Sequence, residues 1–102
     1  LAVKIALTNN TPIKSVGAGT IIFSDWTPSS GYVVIVRHKD DILSVYKNAA
    51  SVTKSQGNIV RSGEVIALAG NANNLQNSGA TLHFELWKDG FPIDPTQFIN
   101  FN

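Results

Sequence analysis

His38 and His83 are the two histidines of a 102-residue chain without cysteine, so chemistry near neutral pH rests on two imidazoles and the groups beside them. His83 lies in the run Thr81-Leu82-His83-Phe84-Glu85-Leu86-Trp87, where polar and apolar residues alternate. In an extended strand this alternation sends Thr81, His83 and Glu85 to one face. An imidazole near a carboxylate is raw material for a metal site or for general acid–base chemistry. The plainer reading makes His83 a structural histidine in a groove and Glu85 a hydrogen-bonding bystander. His38 closes the run Tyr32 to Arg37 and reads as structural. Trp26 and Tyr32 flank a turn-rich stretch, and with Glu85 they form a candidate binding groove, since aromatic faces pack on apolar ligand faces. Anchoring of the loop would account for both aromatics equally well. Lys47, Lys54 and Arg61 are scattered and read as solvated.

The elements that must position these residues are strands. Val3-Ala6, Gly19-Phe23, Tyr32-Arg37, Leu43-Tyr46, Val65-Ala69 and Thr81-Trp87 are rich in Val, Ile, Phe, Tyr and Thr, and Gly, Pro, Asn and Ser clusters separate them. Helix is almost missing from the pattern. Asp25 to Gly31 reads as a turn-rich loop, and the polar, aperiodic Asn71 to Gly79 as a long surface loop leading into the His83 strand. Lys88-Asp89-Gly90 predicts a tight hairpin turn into Phe91-Pro92-Ile93. Asp94 then predicts a cap, with Pro95 at the first helical position. Gly17, Gly19, Gly57, Gly63 and Gly70 read as turn glycines and make no phosphate-binding pattern.

Composition narrows the classes. The chain is 43% hydrophobic and 15% charged, enough for one domain over residues 1–102 and too little for two. The formal charge of +1 comes from 8 basic and 7 acidic residues in no block, which argues against nucleic acid as a partner. No apolar run approaches the roughly 20 residues needed to span a bilayer, so no membrane contact is expected within the chain. The start on a strand-like alternation without Met suggests a piece of a longer protein with its export signal or anchor upstream.

Several ordered segments together resemble one family. They are Thr11-Pro12-Ile13 through Gly17-Ala18-Gly19-Thr20-Ile21, Gly31-Tyr32 through Arg37-His38 with Val45-Tyr46-Lys47, Gly57-Asn58 through Ile66-Ala67, and Thr81 through Trp87 with Asp89-Gly90-Phe91-Pro92-Ile93-Asp94-Pro95. In this order they resemble the lysostaphin/LytM family of zinc endopeptidases of bacterial peptidoglycan. The resemblance implies an all-β fold, an antiparallel sheet or sandwich of the duplicated-hybrid-motif type with long loops around a groove. It also implies a zinc held by an HxxxD motif and by the second histidine of HxH, with the first histidine of HxH and one of a YxH motif acting on water and oxyanion.

Carried over position by position, the resemblance implies a dismantled site. Lys4 stands where the carboxylate ligand belongs, and an ammonium has no lone pair and a charge that opposes a dication. The histidine of HxxxD would fall one residue before Leu1. Asn48 replaces the histidine of YxH and cannot shuttle a proton near neutrality. Thr81 replaces the first histidine of HxH, leaving His83 as the surviving ligand position. No cofactor is therefore expected, and no catalytic residue. The expectation is an inactive domain that binds or regulates in the cell envelope or periplasm, with peptidoglycan or a cell-wall hydrolase or regulatory protein as partner. The alternatives are a peptidoglycan-binding module and a metalloendopeptidase with residual activity through His83. A further alternative is half of a biotinyl or lipoyl carrier, which Gly57 through Gly70 also resembles and which the absence of Met opposes.

Overall fold

A computed structural model of the chain describes residues 2–70 and 80–97. The expectation of a long loop over 71–79 lies outside them. Among the described residues nine strands carry the fold: β1 (Val3–Leu7), β2 (Pro12–Lys14), β3 (Gly19–Thr27), β4 (Gly31–Arg37), β5 (Ile42–Val52), β6 (Ile59–Val60), β7 (Val65–Ala69), β8 (Ala80–Lys88) and β9 (Phe91–Ile93). All their pairings are antiparallel. Two 3-10 turns, Lys39–Asp41 and Pro95–Gln97, are the helical elements among the described residues, so the all-β expectation holds.

The principal sheet runs β1-β8-β5-β4-β3-β6, and β5 also pairs with β7, which carries β2. Its length makes this branching possible: residues 42–47 pair with β8, and Ala49–Val52 with β7. Between the two segments Asn48 adopts φ 71°, a left-handed conformation that Asn tolerates better than most residues. The extra residue forms a bulge that bends the strand. Asn48 N–H bonds the Ser30 carbonyl at 2.7 Å, and its side-chain Nδ2 bonds the Thr81 carbonyl at 2.6 Å.

Apolar side chains from both parts of β5 meet on one inner face. Ile13, Ile21, Val34, Val36, Tyr46, Val60, Ile66, Leu82, Phe84 and Leu86 form its buried cluster, with the Tyr46 and Phe84 rings tilted at 5.3 Å. Burying one such side chain contributes about 1.5–3 kcal/mol. A polar chain crosses this core. Val16 N–H donates to Tyr46 Oη (3.0 Å), Tyr46 Oη donates to Ser44 Oγ (2.8 Å), and Ser44 Oγ lies 2.7 Å from His38 Nε2. His38 Nδ1 faces the Ala18 carbonyl at 2.8 Å, and a carbonyl only accepts, so Nδ1 carries the proton and Nε2 accepts from Ser44. His38 is thus structural, as its place at the end of a strand suggested. Burial pushes the Tyr46 phenol above its ordinary range, although its hydrogen bonds pull the other way.

The structure corrects three readings. Asp25 to Gly31 is not one loop: β3 runs to Thr27 and β4 begins at Gly31, leaving a three-residue connection. Gly19 is a strand residue, and a Cβ there would collide with the Arg37 carbonyl oxygen of the neighbouring strand. Lys47 and Lys54 are ion-paired, at 2.9 Å to Glu85 and 3.2 Å to Glu64. The Lys88-Asp89-Gly90 turn stands as expected, with φ of 51° at Asp89 and 83° at Gly90. Asp94 Oδ1 accepts from Thr96 N–H and Thr96 Oγ1 at the start of the last 3-10 turn.

The buried polar chain yields a stability prediction. Tyr46→Phe removes the acceptor of Val16 N–H and the donor to Ser44, and the loss of buried partners costs about 1–3 kcal/mol in urea unfolding. Ile59→Ala, at a side chain 81% exposed, is expected to stay within about 0.5 kcal/mol of the parent.

Candidate functional site

The opposite, outer face of the principal sheet carries Lys4, Thr81, His83 and Glu85. Lys4 pairs with His83 across β1 and β8, and His83 pairs with Lys47 across β8 and β5. Direct partners in an antiparallel pair project to the same side with Cβ atoms about 4.5–5.5 Å apart. One row therefore reads Lys4, His83, Lys47. Thr81 pairs with Ala6 in the next row, and Glu85 with Val45 on the other side. Of the four positions that the family resemblance singled out, Lys4, His83 and Thr81 converge on this face. Asn48 joins them through its bond to the Thr81 carbonyl, held by the same bulge that bends β5.

Glu85 is engaged on two sides. Lys47 Nζ lies 2.9 Å from Oε2, and Trp87 Nε1 donates to Oε1 at 3.0 Å. Burial pushes the Glu85 carboxyl upward, but the Lys47 ammonium and the Trp87 indole outweigh it and hold the group below the ordinary carboxylate range. Next to this pair, Ile35, Leu43, Val45 and Trp87 join Lys47 and Glu85 around a shallow cleft of about 220 Å³. Lys47 and Trp87 were not among the sequence candidates. Their signal lay in the alternation, which puts Trp87 two residues beyond Glu85 on the same face.

Trp26 and Tyr32 are not brought to Glu85. They pair with each other at the open end of β3 and β4, and Tyr32 packs against the inner core. Strand alternation thus directs both to the face opposite Lys47 and Glu85. Trp26 is 54% exposed there.

Zinc asks for neutral imidazoles, carboxylates or thiolates. Among the described residues no three His, Cys, Asp or Glu side chains gather within reach of one ion. The row offers one imidazole between two lysines. That donor set does not fit zinc, and Asn48 and Thr81 supply hydrogen bonds but no proton shuttle near neutral pH.

The Glu85 pair sets a pH dependence. Its folded acidity lies below the ordinary 4.5, so the unfolded chain takes up the proton first as pH falls. The pair's contribution is complete above that ordinary value and is lost as pH drops through the lower folded one. The pair is partly solvated, with Lys47 33% and Glu85 17% exposed, so Glu85→Gln is expected to cost only about 0.2–1 kcal/mol near pH 7. In denaturant titrations across the acid range, the gap between parent and Glu85→Gln closes as the carboxyl is protonated.

Comparison with known proteins shows the family and the fold. The profile of "Peptidase family M23" matches residues 1–95. Stage II sporulation protein Q of Bacillus subtilis (strain 168) is 35% identical over 83 residues, 81% of this chain and 29% of that protein. Murein hydrolase activator EnvC of Escherichia coli (strain K12) is 30% identical over 95 residues, 93% of this chain and 22% of that protein. The chain thus spans less than a third of these curated relatives. A solved structure titled "Structure of the SpoIIQ-SpoIIIAH pore forming complex" superimposes with a TM-score of 0.72 at 33% identity, covering 82% of this chain and 53% of that one. Profile, relatives and superposition agree with the motif order, and the chain belongs to peptidase family M23.

Proposed function

We propose that this domain is a non-hydrolytic member of its family, working without zinc as a binding or regulatory module of bacterial cell-wall metabolism. One observation carries the proposal: Lys4 stands in register with His83, where the lysostaphin/LytM pattern requires a carboxylate ligand. An ammonium at that position repels a dication and donates where a ligand must accept. Asn48 and Thr81 remove the two groups that would move protons, and Asn48 has a structural task at the bulge.

The binding reading draws on the relatives. One is named a murein hydrolase activator, and another is solved in a complex with SpoIIIAH. A protein partner, such as a hydrolase or an assembly component of the envelope, suits a domain that keeps its scaffold and loses its ligands. The envelope or periplasm is the corresponding location.

The test is digestion and co-sedimentation with purified sacculi, using the full-length protein with zinc supplied. The expected outcome is no release of soluble fragments, with the protein left in the supernatant. Release of peptide fragments would overturn the non-hydrolytic reading. Zinc-independent pelleting without fragment release would replace the protein partner by peptidoglycan itself.

A further inference from the structure

The residues that spoil the zinc site leave a surface with chemistry of its own. Lys4, His83 and Lys47 occupy consecutive strands, and neighbouring strands lie about 4.8 Å apart, so two ammonium-bearing chains flank one imidazole across about 10 Å. Lys47 is neutralised by Glu85 at 2.9 Å. Among the described residues Lys4 has no carboxylate partner, and no hydrogen bond engages the His83 ring. With one carboxylate against two lysines, the row keeps a positive charge even when His83 is neutral. Among the described residues its unengaged donors are the Lys4 ammonium, an imidazole N–H and the Thr81 hydroxyl.

An apolar floor adjoins the row. The cleft lined by Ile35, Leu43, Val45 and Trp87 begins beside Glu85, two residues along β8 from His83, and extends to Trp87, four residues along. At about 3.4 Å per residue this separates the cationic row from the apolar floor by roughly 7–14 Å. Residues two to four apart in an extended segment span the same distance.

We infer that this face is a docking site for a carboxylate-bearing, apolar segment of a partner protein. Its Asp or Glu side chain meets Lys4 and His83, and an apolar side chain two to four residues away fills the cleft. The inference rests on the proposed zinc-free reading, since a zinc ion would occupy the His83 imidazole and itself take the carboxylate, leaving Lys4 no part in its recognition. Charge complementarity selects the carboxylate. The cleft of about 220 Å³, with an indole and three aliphatic chains around it, selects a large apolar neighbour and thereby a protein segment.

The test uses the blocked peptide acetyl-Leu-Gly-Asp-Gly-Leu-amide, which places Leu two residues from Asp in either direction, and its Asn counterpart as the neutral probe. Amide and imidazole resonances of the isotope-labelled full-length protein are followed during titration. The expected result is movement of the His83 ring, Lys4 amide and Trp87 indole signals, with the Asp peptide binding about ten-fold more tightly than the Asn peptide at low salt. In Lys4→Gln the preference falls to about two-fold or less, and in Lys4→Arg it is retained, which separates charge from folding. Equal affinities of the two peptides, an unchanged preference in Lys4→Gln, or responses confined to other faces would overturn the inference. So would soluble peptidoglycan fragments that bind more tightly than the Asp peptide with the same dependence on Lys4, because the row would then serve the wall polymer. Failure in this titration leaves the non-hydrolytic role standing, since that role is decided by the sacculus assay.

Discussion

Strand β5 is shared by three neighbours, and the rest of the molecule depends on that sharing. Its first half pairs with β4 and β8, and its second half with β7 and, at Ala49, still with β4. A regular strand could not turn from one set to the other. The left-handed conformation of Asn48 provides the turn, and its hydrogen bonds to the Ser30 and Thr81 carbonyls tie the bend to the neighbouring strands. In the proposed reading Asn48 stands where a LytM-type peptidase places a proton-handling histidine, and its polar groups here serve the backbone. Histidine is also tolerated at positive φ, so the bend does not by itself require the exchange. What Asn removes is titration near neutrality.

The two faces of the sheet divide the work. On the inner face the Val16-Tyr46-Ser44-His38-Ala18 chain satisfies polar groups that would otherwise be stranded in an apolar cluster. His38 is thereby committed, and its ring is no candidate for chemistry. On the outer face the row Lys4-His83-Lys47 and the Glu85-Trp87 contact lie beside apolar floor, with part of their area open to solvent. Under the proposed reading, an ammonium in place of a carboxylate at Lys4 changes the preferred charge of a ligand without disturbing the strand. Lys4 is exposed on a strand that pairs with β8 alone, so its side chain can change without repacking the core.

Much of this was legible in the sequence, and the reasons differ by residue. The alternation from Thr81 to Trp87 named the strand and the face because side-chain direction in a strand follows position parity. The Asp89-Gly90 turn was legible because both residues tolerate positive φ there, at 51° and 83°. The full length of β5 was not, since its second half, Asn48 to Val52, is made mostly of small residues with little strand preference and draws its strand character from pairing with β7. Gly19 was read as a turn for the same kind of reason: the close approach of the Arg37 carbonyl is a tertiary fact. The Lys47–Glu85 pair joins residues 38 positions apart and needs the register to be known. Trp26 and Tyr32 flank a turn in sequence, yet parity along β3 and β4 takes them to the other face from Glu85.

The central claim is the proposal that Lys4, in register beside His83, leaves a site that does not take zinc. The most direct measurement is the zinc content of the full-length protein, combined with a zinc titration read on the His83 imidazole resonance at neutral pH. The predicted result is no stoichiometric zinc and a His83 signal that does not respond at equimolar metal. One zinc per chain, with the His83 signal shifted in proportion to the bound metal, would contradict it.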